Sequence, residues 1–489
     1  MKLSKRFISS ALLAAIIGSL AACGNETNST GGGNEVTTSD NLPESVTTKA
    51  EEADIPDDRY EGYTFRILGA ALAAGQTAND IISDAETGDA LGDAVYKRNR
   101  MAEERFGIKI EYVGTSGTVA SAIGQAVLAG DDAYDAAAGN TAGAAGAIVN
   151  RYILQISGLP YIDIEKSWWN TGLIESSAIN GEEYILMGDI NYAWKNATWA
   201  LCFNKRLYNE FGLEEPYKMV REGRWTIDVL EEHCRDITKD LNGDSKFDKD
   251  DQWGMLSSKT AGLGLVTSTG ITTVTAGKDG TLEYILDNER NVDIIGRLRK
   301  LMTNNDIQLR AEDITGSTNI WDDIINIFRE GRALYRISIM GDIVGLRDME
   351  DDFGILPLPK YDENQESYIT TYQAWNGSAY MVPASISDSK RTSAILEYMA
   401  YLSKDTITDA YYNVNLQGKV ARDDDSSEML DIIFDSMKTD VGFAFQLGSV
   451  QNVLKGIINS DTDNTASTLA SSKESIVTAI KDFEESAKG

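Results

Sequence analysis

Strand and helix patterns alternate from residue 63 onward, and this alternation constrains the fold more than any other feature of the chain. Residues 63–68 alternate apolar and polar side chains as a strand does, residues 88–106 have helical periodicity, and residues 108–113 form the next strand pattern. A third strand pattern, 134–138, leads through Gly139 and Asn140 into another helix. Strand–helix–strand at this spacing implies right-handed βαβ crossovers and a parallel sheet. The sequence therefore predicts an α/β fold.

A second α/β region follows residue 204, and the last part of the chain is largely helical. A length of 489 residues predicts two or three domains. No internal repeat is visible. The predicted elements are helices near 226–239, 291–303 and 320–330, strands at 333–337 and 353–356, and C-terminal helices at 387–402, 427–437 and 471–486.

The N-terminus has the pattern of an export signal. Residues 1–6 are cationic and residues 7–22 are apolar, which is too short for a membrane span but typical of a signal peptide. The end of this run, Leu20-Ala21-Ala22-Cys23, is similar to a bacterial lipobox, so we expect residues 1–22 to be removed and Cys23 to be lipidated. Residues 23–58 are rich in Asn, Thr, Ser, Gly and Glu, which predicts a flexible stalk anchored to the membrane.

Composition excludes several classes of function. Asp and Glu outnumber Lys and Arg by 76 to 45, and the resulting charge of −31 disfavours nucleic-acid binding. The single histidine, His233, excludes zinc sites that need several histidines. On the predicted helix 226–239 we expect His233 to be a half-exposed structural residue. Cys202 and Cys234 are an even pair in an exported chain, and the sequence leaves open whether they form a disulfide or remain buried thiols.

A set of motifs in fixed order is similar to a known family. The N-terminal part contains YTFRILG, RFGIKIEYV and YDAAAGN. They are followed by LCFNKRLYNEFGL, REGRWTIDVLEEHC, FREGRALYRIS, FGILPLPKYDENQESYIT and SAYMVPASI. Together with the lipobox and stalk, this order resembles a family 1 extracellular solute-binding lipoprotein of a bacterial ABC importer, of the carbohydrate type. The resemblance extends over most of residues 60–440.

The resemblance implies a periplasmic-binding-protein-like fold, in which two α/β lobes are joined by a hinge and trap the ligand in the cleft between them. It also implies a membrane permease as partner and no catalysis. The family's hinge strands fall near 198–204 and 375–383. Lobe 1 would then comprise 60–200 with 384–440, and lobe 2 would comprise 204–374 with 445–489.

An acidic loop at residues 240–251 has the oxygen spacing of a Ca²⁺ loop. Side-chain or carbonyl oxygens stand at positions 1, 3, 5, 7, 9 and 12, as Ca²⁺ requires. The loop departs from the EF-hand pattern at Ser245, where glycine is usual, and at position 12, where Asp replaces Glu. The alternative is a solvated acidic turn. The expected ligands of a structural Ca²⁺ are Asp240, Asn242, Asp244, Lys246, Asp248 and Asp251.

Aromatic residues near strand ends and lobe junctions favour a saccharide ligand, because the C–H faces of sugar rings stack on aromatic planes and polar side chains pair with the hydroxyls. Trp375 and Asn376, at the second hinge, are the strongest candidates, although any tryptophan can instead belong to the core. Arg336 and Met340 follow a strand that faces the cleft in the family. The full set of predicted ligand contacts is Asn140, Asp189, Trp194, Arg336, Met340, Trp375 and Asn376.

Two other classes of function remain open at this level. A surface-anchored glycoside hydrolase needs only two carboxylates, and the composition does not exclude it. A glycan-tethering protein without a role in transport would have the same fold. In each case we expect a monomer on the extracellular face of the bacterial plasma membrane, with a stalk whose composition favours a Gram-positive surface.

Overall fold

Four strands form the first sheet of the computed structural model, which describes residues 51–70, 80–277, 281–417 and 423–488. β1 (Thr64–Ala70) pairs in parallel with both β2 (Lys109–Thr115) and β3 (Ala136–Asn140). The predicted parallel βαβ arrangement is confirmed, although β3 begins and ends two residues later than the predicted strand 134–138. A strand from far along the chain, Ser378–Met381, adds an antiparallel edge to β3.

The second sheet has five strands, which are β4 (Trp199–Asn204), β5 (Trp253–Ser257), β8 (Gln308–Arg310), β9 (Ala333–Ile339) and β10 (Phe353–Leu356). Their order across the sheet is β10-β4-β9-β5-β8. β5 runs parallel to β8 and β9, whereas β4 runs antiparallel to β9 and β10. A separate antiparallel pair is formed by β6 (Val274–Ala276) and β7 (Leu282–Tyr284), and the edge strand of the first sheet, Ser378–Met381, is β11.

Helices cover both sheets and form most of the C-terminal part of the chain. No helix among the described residues combines the length and the apolar character needed to cross a bilayer. Two π-helical segments, Lys404–Thr408 and Ala410–Gln417, follow the helix that ends at Ser403. The α-helices are α1 (Ala90–Phe106), α2 (Val119–Ala129), α3 (Thr141–Val149), α4 (Thr171–Glu175), α5 (Ala193–Asn196), α6 (Lys205–Phe211), α7 (Pro216–Arg221), α8 (Ile227–Cys234), α9 (Ala261–Ser268), α10 (Glu289–Met302), α11 (Ile320–Arg329), α12 (Met340–Val344), α13 (Ser389–Ser403), α14 (Asp424–Asp435), α15 (Val441–Ala444), α16 (Val450–Ile458) and α17 (Thr465–Lys488).

The ends of α1 show how the local sequence sets the element boundaries. The Asp89 side chain accepts a hydrogen bond from the Gly92 N–H, which satisfies one of the free amides of the first turn. At the other end Gly107 adopts φ 71°, a left-handed conformation that glycine reaches without steric cost, and its N–H donates to the Glu103 carbonyl. The predicted glycine stop after residue 106 is confirmed.

Three chain segments between the sheets lie side by side. Backbone hydrogen bonds of 2.9 and 3.0 Å join segment 197–199, where the chain enters the second sheet, to segment 370–373, where it returns toward the first. Bonds of 2.8 and 3.0 Å join segment 370–373 to a third segment, 436–438. The first predicted hinge strand, 198–204, corresponds to β4, and the second, 375–383, contains β11.

Residues Glu51–Gly489 form one compact unit that contains both sheets. The predicted lobe boundaries stay predictions, but two packing details differ from them. α14 packs against β10 and α7 beside the second sheet, whereas the prediction placed 384–440 with the first. Residues 51–58 of the predicted stalk contact the folded body, since Arg105 Nη2 donates to the Pro56 carbonyl at 2.7 Å. The predicted signal peptide, Cys23 and the rest of the stalk up to residue 50 lie outside the described residues.

A buried carboxyl group links α13 to the segment that precedes α4. Glu397, on α13, accepts hydrogen bonds from Trp168 Nε1 at 3.1 Å and from Trp169 Nε1 at 2.8 Å. All three side chains are buried. Burial raises the pKa of Glu397 to about 7, because the interior disfavours its charged form more than the two indole donors stabilise it. Trp168 and Trp169 are therefore structural residues of the core.

Candidate functional site

A cavity of about 340 Å³ lies at the carboxyl ends of β5 and β9. These strands are parallel neighbours, so their ends meet at one edge of the second sheet, which is where open α/β sheets place their ligand sites. The volume lies within the range of ligand pockets, roughly 300–1,000 Å³. The cavity is lined by Trp199, Ser257, Ser258, Thr260, Trp321, Ile324, Ile325, Arg336, Ile337, Ser338, Ile339, Asp342, Gln373 and Asn376.

Two tryptophans supply the aromatic surface of this cavity. Trp199 begins β4 and is buried, and α9 approaches it so closely at Gly264 that an added Cβ would lie 2.9 Å from Trp199 Cγ. Trp321 lies in the first turn of α11 and is 51% exposed. One tryptophan is thus fixed by packing, and the other presents an exposed ring surface at the cavity.

The polar part of the cavity is an ion pair between Arg336 on β9 and Asp342 on α12. Arg336 Nη2 donates to Asp342 Oδ2 at 3.1 Å, and Ser338 Oγ donates to the same oxygen at 2.6 Å. The Arg336 side chain is only 4% exposed, whereas that of Asp342 is 42% exposed. Burial lowers the pKa of Arg336, and Asp342 opposes this effect. Arg336 Nη1 is buried and has no hydrogen-bond partner within the described part of the chain.

The structure brings some of the predicted contacts together at this cavity. Arg336 and Asn376 line it, whereas Trp375, 61% exposed, does not line it but directly precedes Asn376 in the chain. Met340 does not line it, and its side chain is completely buried at the start of α12. Asn140 uses its side chain to cap α3, accepting from the Gly143 N–H at 2.8 Å.

The other two predicted contacts line a different cavity, of about 370 Å³. The carboxylate of Asp189 is already paired there, since its Oδ1 accepts from Lys195 Nζ at 2.9 Å and from Thr408 Oγ1 at 2.6 Å. The ring of Trp194 is buried, and its Nε1 donates to the Gly188 carbonyl at 2.8 Å. The structure therefore does not bring Asp189 and Trp194 together with Arg336 and Asn376.

The acidic loop forms a tight turn held by its own carboxylates. Asp240 accepts from the N–H groups of Gly243 and Ser245, and the buried Asp251 accepts from those of Leu241 and Asp248. Ser245 has φ 62°, so it adopts the left-handed conformation at the position where an EF-hand has glycine.

The remaining predicted loop ligands behave similarly. Asn242, Asp244 and Asp248 each accept from the N–H two residues further on. Among the residues that the structure describes, no group of three or more His, Cys, Asp or Glu side chains is placed to hold a metal ion. Ca²⁺ binding by Asp240, Asn242, Asp244, Lys246, Asp248 and Asp251 stays a prediction.

The two cysteines and the histidine are core residues. Cys202 and Cys234 are buried free thiols, and burial raises the pKa of Cys202 to about 12. The expectation that His233 is half-exposed was wrong: it is 9% exposed and lies against Tyr208 and Tyr335. Burial lowers its pKa, which keeps the ring neutral.

Sequence reasoning missed several residues of the cavity. Trp321 extends the apolar stripe of α11, where Ile324 and Phe328 lie one and two turns further on, and this stripe was the available signal. No sequence signal pointed to Asp342, which reaches Arg336 through the turn from β9 into α12. The other polar residues missed are Ser257, Ser258, Thr260, Ser338 and Gln373.

Comparison with solved structures finds proteins of similar fold, including an ABC substrate-binding protein. The ABC substrate-binding protein Lmo0181 of Listeria monocytogenes, in complex with cycloalternan, is 14% identical and has a TM-score of 0.55, over 86% of this chain and 100% of that one. The maltose-binding protein MalE of Listeria monocytogenes, in complex with maltose, is 15% identical with a TM-score of 0.52, over 86% and 97%. UgpB of Mycobacterium tuberculosis, in complex with glycerophosphocholine, is 14% identical with a TM-score of 0.52, over 86% and 99%. These likenesses establish the fold.

Comparison with curated protein sequences finds no match. The model of a protein family described as bacterial extracellular solute-binding protein matches residues 83–406, about two thirds of the chain. The match covers β2, β3 and β11 of the first sheet, the whole second sheet and the paired segments 197–199 and 370–373. This chain therefore belongs to the bacterial extracellular solute-binding protein family.

Proposed function

We propose that this protein is the lipid-anchored substrate-binding component of an ABC importer and that it captures a saccharide outside the cell. The single observation that carries the saccharide assignment is the cavity in which Trp199 and Trp321 stand beside the Arg336–Asp342 pair. A sugar ring has apolar C–H faces and a rim of hydroxyls, so it needs aromatic planes together with a few fixed donors and acceptors.

The similar solved structures support this choice of ligand class. Lmo0181 is described with cycloalternan and MalE with maltose, and both are saccharides. UgpB is described with glycerophosphocholine, so the fold alone does not select a sugar. The aromatic and polar composition of this cavity supports the sugar.

The cavity supports binding more than hydrolysis. Glycoside hydrolases act through two carboxyl groups that flank the scissile bond. Asp342 is the one carboxylate among the described residues that line the cavity, and it is already engaged by Arg336 and Ser338. A non-catalytic role therefore fits the site.

Anchoring and location follow from the N-terminal sequence. Cys23 after Leu20-Ala21-Ala22 supports lipidation, which would hold the protein on the extracellular face of the membrane through the stalk. The bound solute would then pass to a membrane permease, and the protein would act as a monomer. The stalk composition favours a Gram-positive surface.

Ligand capture is expected to close the two sheets about the paired segments 197–199 and 370–373. A thermal-shift screen against neutral and acidic oligosaccharides tests the ligand class, since a ligand at a hundred times its Kd adds about 2.7 kcal/mol of stability. Small-angle scattering with the strongest hit should show a smaller radius of gyration. An unchanged radius with a confirmed ligand would favour a rigid site, and sustained turnover of a glycan would make the protein an enzyme.

A further inference from the structure

The ion pair that lines the cavity leaves one donor group of Arg336 without a partner among the described residues. Arg336 uses Nη2 for Asp342, and its Nη1 has no partner within the described part of the chain although it is buried. A buried guanidinium N–H without an acceptor is costly, and a ligand oxygen would satisfy it.

The carboxylate of Asp342 is held in one orientation by its two hydrogen bonds. Both hydrogen bonds to Asp342, from Arg336 and from Ser338, fall on Oδ2. The carboxylate is thereby fixed while its side chain remains 42% exposed. A donor and an acceptor thus stand next to each other on one wall of the cavity.

We propose that Arg336 and Asp342 together form hydrogen bonds to two adjacent hydroxyls of a neutral sugar ring and select against acidic sugars. One hydroxyl accepts from Arg336 Nη1, and its neighbour donates to Asp342. Two adjacent hydroxyls match this arrangement because each can donate or accept. The inference rests on the saccharide-binding function proposed above.

Charge explains why an acidic sugar is excluded. Arg336 and Asp342 are the two ionisable side chains among the described residues that line the cavity, and together they are neutral. A ligand carboxylate would gain one contact with Arg336 but would lie against the half-exposed Asp342. The net charge of −31 adds a repulsive field around the cavity. A neutral ligand avoids both the repulsion by Asp342 and the repulsion by the net charge.

The test uses calorimetry on the full chain with neutral trisaccharides (maltotriose, cellotriose, xylotriose and mannotriose) and with trigalacturonate. The wild type should bind at least one neutral trisaccharide and should bind trigalacturonate more weakly. Asp342→Asn should weaken the neutral ligand roughly tenfold or more, because a charge-assisted hydrogen bond is lost, and should strengthen trigalacturonate by a similar factor.

Asp348→Asn is the matched control, since Asp348 lies six residues further on, is 83% exposed and carries the same charge. It should change neither affinity by more than about twofold. Ser338→Ala, which removes the bond that orients Asp342, should weaken the neutral ligand alone. The melting temperatures of all variants identify those that fail to fold. If Asp342→Asn does not fold, Ser338→Ala serves as the test of the pair instead.

The outcomes separate the inference from the function on which it rests. A wild type that binds trigalacturonate more tightly than every neutral trisaccharide would overturn the selection rule and leave saccharide binding intact. An Asp342→Asn variant with unchanged affinity for both ligands would overturn the role of the pair. A wild type that binds none of the five saccharides would refute the saccharide function and, with it, this inference.

Discussion

Trp375 provides the sharpest single test of the proposed site. It is 61% exposed, the most exposed tryptophan among the described large apolar residues, and it directly precedes Asn376 at the cavity. The exposed ring contributes little to the folded state on its own. We therefore expect Trp375→Ala to reduce ligand affinity while leaving the fold nearly unchanged.

The expected loss of affinity follows from the apolar area of Trp375 that a ligand would cover. A tryptophan side chain offers up to about 250 Å², so an exposed fraction of 61% is roughly 150 Å². If a sugar ring covers one face, about half of this area leaves water. At about 25 cal/mol per Å² the contact contributes about 2 kcal/mol, or roughly 30-fold in Kd. The free energy of unfolding should fall by about 1 kcal/mol or less, compared with about 3–5 kcal/mol for a core aromatic.

Calorimetry with the best saccharide and thermal unfolding of the same preparation measure both quantities. Phe247→Ala is the matched control, because Phe247 is 54% exposed but lies on the acidic loop, where neither of its chain neighbours lines the cavity. It should leave affinity unchanged. A Trp375 variant with normal affinity and normal stability would show that Trp375 is an ordinary surface residue. A large loss of stability with normal affinity would place it in the core.

Three further predictions concern other parts of the chain. The raised pKa of Glu397, about 7 against an ordinary 4.5, means that the folded state holds a proton which the unfolded state releases, so this group's contribution to stability should fall by about 3 kcal/mol as pH rises from 4.5 to 7. Glu397→Gln should remove that slope in urea unfolding curves, and an identical slope in the variant would refute the assignment. Millimolar Ca²⁺ should raise the melting temperature of the wild type but not of Asp240→Asn. If calorimetry detects no heat of Ca²⁺ binding, the predicted metal site is refuted. Cys23→Ser should move the protein from the membrane fraction to the medium, and a normal-length mature form that stays with membranes would contradict lipidation.

Periodicity was sufficient to predict the three parallel strands of the first sheet, because they are close together in the sequence. The three parallel strands β1, β2 and β3 are connected by single helices, so the hydrophobic pattern of each strand predicts its neighbours. The antiparallel pairing of β11 with β3 was not predictable in this way, since more than 230 residues separate Asn140 from its partner Ser378. Such long-range pairing depends on the whole fold rather than on the pattern of either strand.

The site was less predictable than the fold for a similar reason. Arg336 could be named because it lies on a strand whose end faces the cleft in the family, and the structure places it on the cavity wall. Asp189 has an equally suitable sequence context, but its carboxylate is occupied by Lys195 and Thr408. Whether a polar side chain faces a ligand or a neighbour depends on distant parts of the chain. The Thr408 bond joins residues 219 positions apart.

The pairing of the three segments 197–199, 370–373 and 436–438 restricts how the protein can change shape. Backbone hydrogen bonds between adjacent segments resist sliding and twisting, because either motion would break several bonds at once. Bending across the segments keeps those bonds and is the softest deformation left. Ligand binding in the cavity would then change one quantity, the angle between the two sheets. A permease that contacts both halves would recognise that angle whatever sugar produced it, so one transporter would accept every ligand that closes the protein to the same degree.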